Sequence, residues 1–160
     1  MHIIAAKAVG FKEALKPEFQ DYIKEVLANA KILAETLKNN GFKIYSGGTD
    51  THLMLVDLRP FNVKGNVAAE SLSRANITCN KNGIPFDSES PMITSGIRLG
   101  SQAATTRGFG LKEFQIVGDL ITKTIKGLAE NPEDNSKTED EVRKEVVSLC
   151  SNFPIYKHLG

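Results

Sequence analysis

The sequence predicts a domain of the α/β class, α+β-like in arrangement, with a small sheet that helices cover on one face. Long segments with the apolar spacing of helices lie at both ends of the chain. Short strand-like runs separated by turn residues lie between them. The length of 160 residues, 41% of them apolar, fits one domain with a hydrophobic core.

The first long helix is predicted to begin at Pro17, because the first helical N–H has no partner and proline lacks that N–H. Apolar residues then recur at steps of three and four from Phe19 to Leu37, so they share one face. Gly41 is placed to end this helix with a left-handed cap. Residues 3–15 favour a separate helix before it.

The middle of the chain alternates strand-like runs with turns. Three runs predict strands, which are residues 52–58, 77–79 and, more weakly, 93–99. Residues 47–52 lack the Lys-Ser/Thr pair of a phosphate-binding loop and precede a strand, so they predict a tight turn. A short helix is predicted to begin near Gly65, with Asn66 as its N-cap. Residues 80–92 are rich in turn-forming residues and predict a loop.

Two more helices are predicted towards the end of the chain. The first follows Gly110, and its apolar stripe consists of Phe114, Val117, Ile121, Ile125 and Leu128. Thr138 and Glu141 occupy the positions of a reciprocal capping box, so the final helix is predicted to begin there. Its core face is predicted to contain Val142, Val146, Leu149, Cys150 and Phe153.

The composition argues against several classes of function. A net charge of +1 provides no broad positive field for nucleic acid or for an anionic membrane. No apolar run approaches the roughly 20 residues that a membrane span needs, and we expect a cytoplasmic protein. Cys79 and Cys150 are far apart, which favours a reducing compartment. The three histidines lack metal-ligand spacing, so we expect no metal site.

Arg98 is the residue whose chemistry stands out. It lies between two apolar residues and follows Gly96, which lets a ligand or another backbone approach closely. A guanidinium held in this way can bind a carboxylate through two parallel hydrogen bonds. The alternative is a structural arginine paired with an internal carboxylate, and composition alone slightly favours that alternative. Asn82 has the donors and acceptors to read the edge of a heterocycle, but the residues alone clearly favour an ordinary Asn-Gly turn.

Four sequence blocks together resemble one enzyme family. They are SGGTDTHLMLVDL at residues 46–58, NIT and NKN with Pro85 at residues 76–85, TSGIRLG at residues 94–100 and RGFG at residues 107–110. The opening, residues 2–8, resembles the family segment that follows the cofactor lysine. These blocks occur in the family's order and cover essentially the whole chain. The sequence is similar to the C-terminal domain of serine hydroxymethyltransferase, also called glycine hydroxymethyltransferase.

The resemblance implies the small C-terminal domain of a fold-type I pyridoxal-phosphate transferase, with a mostly antiparallel sheet. The family uses pyridoxal 5′-phosphate and tetrahydrofolate to interconvert serine and glycine, with 5,10-methylenetetrahydrofolate as the one-carbon product. By correspondence, Arg98 binds the carboxylate of the amino-acid substrate and Asn82 contacts the folate pterin. The folate-binding loop is implied to contain Ser90, Pro91 and Met92.

The main departure from the family is that no lysine follows a Thr-His pair. We therefore expect the chain alone to be inactive, with residues 1–16 linking to an absent large domain and residues 17–160 forming the small domain. Phe86 also departs, since relatives have a small or polar residue there. Two alternatives remain: a subunit acting in trans with a separate large domain, and a stand-alone module that binds amino acids or folate. A homodimer is expected, because a missing partner leaves apolar surface to be covered.

Overall fold

The computed structural model describes residues 1–155, which contain six α-helices and four strands. In chain order they are α1 (His2–Ala14), α2 (Pro17–Asn39), β1 (Lys43–Ile44), β2 (Leu53–Asp57), α3 (Gly65–Arg74), β3 (Asn80–Asn82), β4 (Gly96–Gly100), α4 (Gln102–Arg107), α5 (Leu111–Glu130) and α6 (Ser136–Ser151). Short 3-10 turns at Tyr45–Gly47 and Arg59–Phe61 flank β2. The predicted α/β class is confirmed.

The four strands form one antiparallel sheet in the order β1-β2-β4-β3. The central strands β2 and β4 pair along their whole length. β3 pairs with the other side of β4, with Asn80 opposite Arg98. Because successive side chains of a strand alternate between the faces of a sheet, β4 directs Ile97 and Leu99 to one face and Arg98 to the other.

Helices α2 and α5 pack together on the covered face of the sheet. The main core there includes Leu33, Leu37, Val56, Ile97, Phe114, Ile121 and Ile125. Both long predicted helices are therefore confirmed, and Gly41 has the expected left-handed φ of 96°. Phe19 and Ile23 are exposed, contrary to the predicted stripe, because the buried residues of α2 begin only at Val26.

Helix α1 lies outside this core. None of its residues is buried, and the exposed apolar side chains include Ile3, Ile4, Val9 and Phe11. A helix before Pro17 is thereby confirmed, whereas the boundary at residue 16 and the linking role stay predictions. Residues 156–160 of the predicted main domain lie outside the described residues.

The strand predicted at residues 77–79 is wrong. The strand at this point is β3, three residues later, although its sequence is Asn-Lys-Asn. The Ile77 N–H donates to the Leu72 carbonyl at 2.8 Å and so closes the end of α3. Only after this turn can the backbone pair with β4, so the tertiary pairing outweighs the local preference of the residues. The predicted loop accordingly begins at Gly83.

Asn66 is not the N-cap of α3. That position belongs to Lys64, and no side chain caps the helix. The N–H groups of Gly65 and Asn66 donate instead to the carbonyls of Thr94 and Ile93, both at 2.9 Å. Contact with the segment before β4 therefore satisfies the first turn. The Asn66 Oδ1 atom is buried and has no hydrogen-bond partner among residues 1–155.

The capping box predicted at Thr138 and Glu141 is also wrong, because α6 already begins at Ser136. Asn135 occupies the N-cap position without capping the helix. Its amide donates instead to the Thr124 carbonyl of α5 at 3.1 Å. Packing against α5 thus determines where this helix begins.

Within residues 1–155, no helix combines the length and the apolarity that crossing a membrane requires. The same part of the chain contains no group of three His, Cys, Asp or Glu side chains placed to bind a metal ion. Cys79 and Cys150 are both free thiols.

Candidate functional site

The uncovered side of the sheet presents Leu55, Arg98 and Asn80 in one row across three strands. Asn82, two residues further along β3, lies on the same side. We call these four residues the open sheet face. Directly opposite side chains of antiparallel strands have Cβ atoms about 4.5–5.5 Å apart, so Arg98 and Asn80 are neighbours across the two strands.

Arg98 projects from a firmly anchored strand. Its two neighbours on β4 are buried, whereas Arg98 itself is exposed. The arginine ion pairs within residues 1–155 engage Arg59, Arg74 and Arg143. An internal carboxylate, which the structural alternative for Arg98 requires, is therefore not among its contacts in this range. As far as residues 1–155 are concerned, the guanidinium is free to meet a ligand.

A cavity of about 530 Å³ lies beside Arg98. Its polar lining includes His52, Asn80 and Gln102, and its apolar lining includes Phe114. Pockets for small ligands typically combine apolar walls with a few polar groups that fix orientation. A guanidinium at such a cavity has the charge and the planar geometry to bind a small carboxylate.

Cys79 lines the same cavity. Burial raises the pKa of the Cys79 thiol to about 11. Because the thiolate is the nucleophilic form, a thiol that stays protonated at neutral pH is unsuited to covalent catalysis.

The residues that the resemblance assigns to folate lie in and beside the loop of residues 83–95. Asn82 is half-buried at the start of this loop, and its Nδ2 atom donates to the Gly83 carbonyl at 2.8 Å. The exposed part of the loop contains Ser90, Pro91 and Met92. The structure therefore brings Asn82 onto the same sheet face as Arg98 and places the other three on a separate exposed turn.

A chain of polar contacts that the sequence did not reveal connects the sheet to this loop. The buried Asp57 carboxylate accepts hydrogen bonds from Arg59 Nε at 3.0 Å and Nη2 at 2.7 Å. Arg59 Nη2 also donates to the Tyr45 hydroxyl at 3.1 Å, and that hydroxyl donates to the Pro85 carbonyl at 3.5 Å. Burial opposes ionisation of Asp57, but the hydrogen bonds from Arg59 outweigh it and lower the pKa of the carboxyl group. The only sequence signal was an Asp and an Arg two positions apart at the end of a predicted strand.

A second cavity, of about 830 Å³, lies between α2 and the turn of residues 46–51. Ser46 and Gly47 have positive φ values of 64° and 73°, which confirms the predicted tight turn. The Lys38 ammonium donates to the Gly47 carbonyl at 2.7 Å and holds the turn against the helix.

The described lysines do not fit the Schiff-base site of pyridoxal 5′-phosphate. An aldimine lysine acts from an enclosed site, where its amine can lose its proton. Every lysine within residues 1–155 is exposed, and none in the sequence follows a Thr-His pair.

Fold and site together define an α/β domain whose sheet presents an exposed arginine among the residues that line a cavity. A family model described as serine hydroxymethyltransferase matches residues 1–121. The chain belongs to the serine hydroxymethyltransferase family, which is a family of transferases.

Curated relatives agree with this family over nearly the whole chain. The serine hydroxymethyltransferase of Pelagibacter ubique (strain HTCC1062) is 83% identical over 159 residues, which are 99% of this chain and 36% of the relative. The enzymes of Marinomonas sp. (strain MWYL1) and Paramagnetospirillum magneticum (strain AMB-1) are 64% and 62% identical over 98% of this chain. Each match covers 37% of the relative, so the chain spans little more than a third of their length.

Proposed function

We propose that this chain forms the small C-terminal domain of an enzyme that interconverts serine and tetrahydrofolate with glycine and 5,10-methylenetetrahydrofolate. Family membership and the order of the four sequence blocks support this proposal. The chain matches 36% of the Pelagibacter relative, and the remaining part of such an enzyme would supply the cofactor lysine. In this proposal α1 links the two parts.

Arg98 is proposed to bind the carboxylate of serine or glycine, and the observation that carries the proposal is its position. Arg98 projects from the open sheet face and is among the residues that line a cavity of about 530 Å³, and it has no carboxylate partner among residues 1–155. A planar guanidinium matches a carboxylate with two parallel hydrogen bonds and orients it as well as binding it. Binding the acid group in this way fixes the rest of the amino acid for reaction elsewhere in the enzyme.

The folate co-substrate is proposed to bind where the open sheet face meets the loop of residues 83–95. The amide of Asn82 is half-buried there and has acceptor capacity left for a pterin edge. We propose that Ser90, Pro91 and Met92 line the same co-substrate from the exposed turn. Arg98 and Asn82 share one sheet face, so the two ligands would meet there.

The isolated chain is proposed to be inactive, because it contributes binding residues but, within residues 1–155, no lysine suited to a Schiff base. We also propose that the enzyme is a homodimer, which is consistent with the exposed apolar residues of α1. The free thiols of Cys79 and Cys150 suit the reducing cytoplasm that we propose as its location.

A hybrid enzyme tests the proposal. The matching 159 residues of the Pelagibacter ubique relative are replaced by this chain, and tetrahydrofolate-dependent conversion of serine to glycine is measured. We expect the hybrid to be active. Arg98→Ala should lower kcat/KM for serine roughly tenfold to hundredfold, since hydrogen bonds to a charged group contribute about 1.5–3 kcal/mol each. The kcat/KM of the Arg98→Lys hybrid should lie between those of the unsubstituted and the Arg98→Ala hybrids, because lysine keeps the charge but loses the planar guanidinium.

Arg143→Ala is the matched control, since Arg143 is also exposed but lies on α6, where its ion pair within residues 1–155 is with Asp140. The kcat/KM of this variant for serine should stay within about twofold of that of the unsubstituted hybrid. Equal effects of the Arg98 and Arg143 variants would contradict the carboxylate role, and an inactive hybrid that folds normally would contradict the enzyme assignment.

The isolated chain tests the two alternatives. Mixed with pyridoxal phosphate and glycine, it should give no new absorbance band, and a band would show that it needs no further lysine. Activity on mixing with a separately produced large part would instead support a subunit acting in trans. Calorimetric binding of glycine or folate by the chain alone, lost in Arg98→Ala or Asn82→Ala, would support a stand-alone binding module.

A further inference from the structure

One carboxylate organises the loop between β3 and β4. Oδ2 of Asp87 accepts the backbone N–H groups of Ile84 at 3.1 Å and Ser95 at 2.9 Å. Oδ1 accepts the N–H of Glu89 at 3.0 Å and the Ser95 hydroxyl at 2.6 Å. These donors stand on both sides of Asp87 in the sequence, so a single side chain joins the start of the loop to its end.

Both ends that Asp87 joins are fixed to the body of the domain. Ile84 and Ser95 are 5% and 3% exposed. The Ser95 carbonyl accepts the N–H of Leu58 at 3.0 Å, directly after β2. Partial burial opposes ionisation of Asp87, but the hydrogen bonds from Ser95 and from the backbone outweigh it and hold the pKa of the carboxyl group well below its usual range.

The loop contains strained backbone at two residues, of which Thr94 is buried and Phe86 is not. Phe86 and Thr94 have φ values of 56° and 63°, in the left-handed region that residues with a Cβ atom rarely adopt. The Phe86 side chain is fully exposed, so no burial of its ring offsets the strain. The hydrogen bonds of the adjacent Asp87 are the contacts that hold the backbone there.

We propose that Asp87 is a positioning residue for the folate co-substrate. It holds residues 83–95 in the shape that presents Asn82 and the exposed turn of residues 90–92. Arg98 does not depend on it, because pairing of β4 with β2 and β3 already fixes that residue. This inference rests on the proposed function. It predicts that loss of the Asp87 carboxylate raises the KM for tetrahydrofolate but not the KM for serine.

The test uses the hybrid enzyme with Asp87→Asn. The new amide must turn its NH₂ group towards at least one N–H donor, so hydrogen bonds are lost and donors face each other. We expect KM for tetrahydrofolate to rise about tenfold or more, as for the loss of a hydrogen bond to a charged group, with kcat and KM for serine within about twofold. Ser95→Ala, which removes one of the four hydrogen bonds to Asp87, should also raise the KM for tetrahydrofolate, but by less.

Adding Phe86→Gly to Asp87→Asn should restore part of the folate affinity, because glycine adopts a positive φ without cost. Asp134→Asn is the matched control, since Asp134 also accepts a backbone N–H, from Ser136 at 2.9 Å, in a different loop. Hydrogen exchange of the Ile84, Glu89 and Ser95 amides should become faster in Asp87→Asn but not in the control.

An unchanged KM for tetrahydrofolate, unchanged exchange of those amides, or a parallel rise in KM for serine would each overturn the positioning role. An unsubstituted hybrid that needs no tetrahydrofolate would instead overturn the proposed function, and the positioning role with it. The two failures are distinct, because only the second appears before any substitution is made.

Discussion

Gly96→Ala is expected to separate the two central strands. A Cβ atom added at Gly96 would lie 2.7 Å from the Val56 carbonyl oxygen, 2.7 Å from Ile84 Cγ2 and 3.0 Å from the Asn82 carbonyl oxygen. Two of these three atoms belong to the backbones of β2 and β3, which cannot move without breaking their pairing with β4. Overpacking a well-filled site costs about 1–3 kcal/mol, and we expect the upper end, about 3 kcal/mol.

Urea unfolding followed by far-UV circular dichroism measures this change in the free energy of unfolding. At about 2–4 °C per kcal/mol for a domain of this size, the midpoint of thermal unfolding should fall by roughly 6–12 °C. Gly10→Ala is the matched control, because a Cβ atom there meets nothing within 4 Å and alanine favours the helix. A Gly96→Ala chain within about 0.5 kcal/mol of the unsubstituted one, the range of a neutral surface change, would refute the steric argument.

Two further predictions concern titration. The pKa values of the Asp57 and Glu139 carboxyl groups are lowered in the folded chain, so the unfolded chain binds more protons in acid. The free energy of unfolding in urea should therefore be level above about pH 5 and fall as the pH drops through the ordinary values of 4.5 and 3.8. Glu139→Gln, which removes the ion pair with Arg74, should flatten that fall, and an unchanged pH profile would contradict it. Because the pKa of the Cys79 thiol is about 11, iodoacetamide at pH 8 should modify Cys79 more slowly in the folded than in the urea-unfolded chain, and equal rates would count against its burial.

The elements that could be predicted well from the sequence are those whose apolar pattern extends over many residues. Helices α2 and α5 repeat their apolar residues over many turns, and that periodicity survives any tertiary arrangement. β1 and α4 were not predicted, because two and six residues are too short to show a period. β3 was misplaced because Asn-Lys-Asn is a poor strand sequence, and only pairing with β4 makes it one.

Arg98, a residue of the candidate site, could be singled out from the sequence. The residues that hold the neighbouring segments in place could not. Arg98 stood out because a glycine two residues before it and apolar neighbours are visible in the sequence. Whether it has an internal partner depends on which carboxylates the fold brings near, and only the coordinates answer that question. Asp57 and Asp87 were not singled out. The Tyr45 hydroxyl, which extends the Asp57–Arg59 pair, is 14 residues from Arg59, and Ser95 is 8 residues from Asp87, so turn chemistry alone does not indicate these contacts.

The two faces of strand β4 have different roles, since one contributes to the stability of the core and the other to the proposed ligand binding. Ile97 is completely buried beneath the sheet, while Arg98, one residue later, is exposed above it. Because the side chains alternate, an alanine at position 98 leaves the packing of the core unchanged. A loss of activity in Arg98→Ala at unchanged stability would then report on ligand binding alone. The loop that Asp87 holds has no such separation, since Ile84 and Ser95 serve the core and the loop at once, which is why its test requires the contrast between folate and serine.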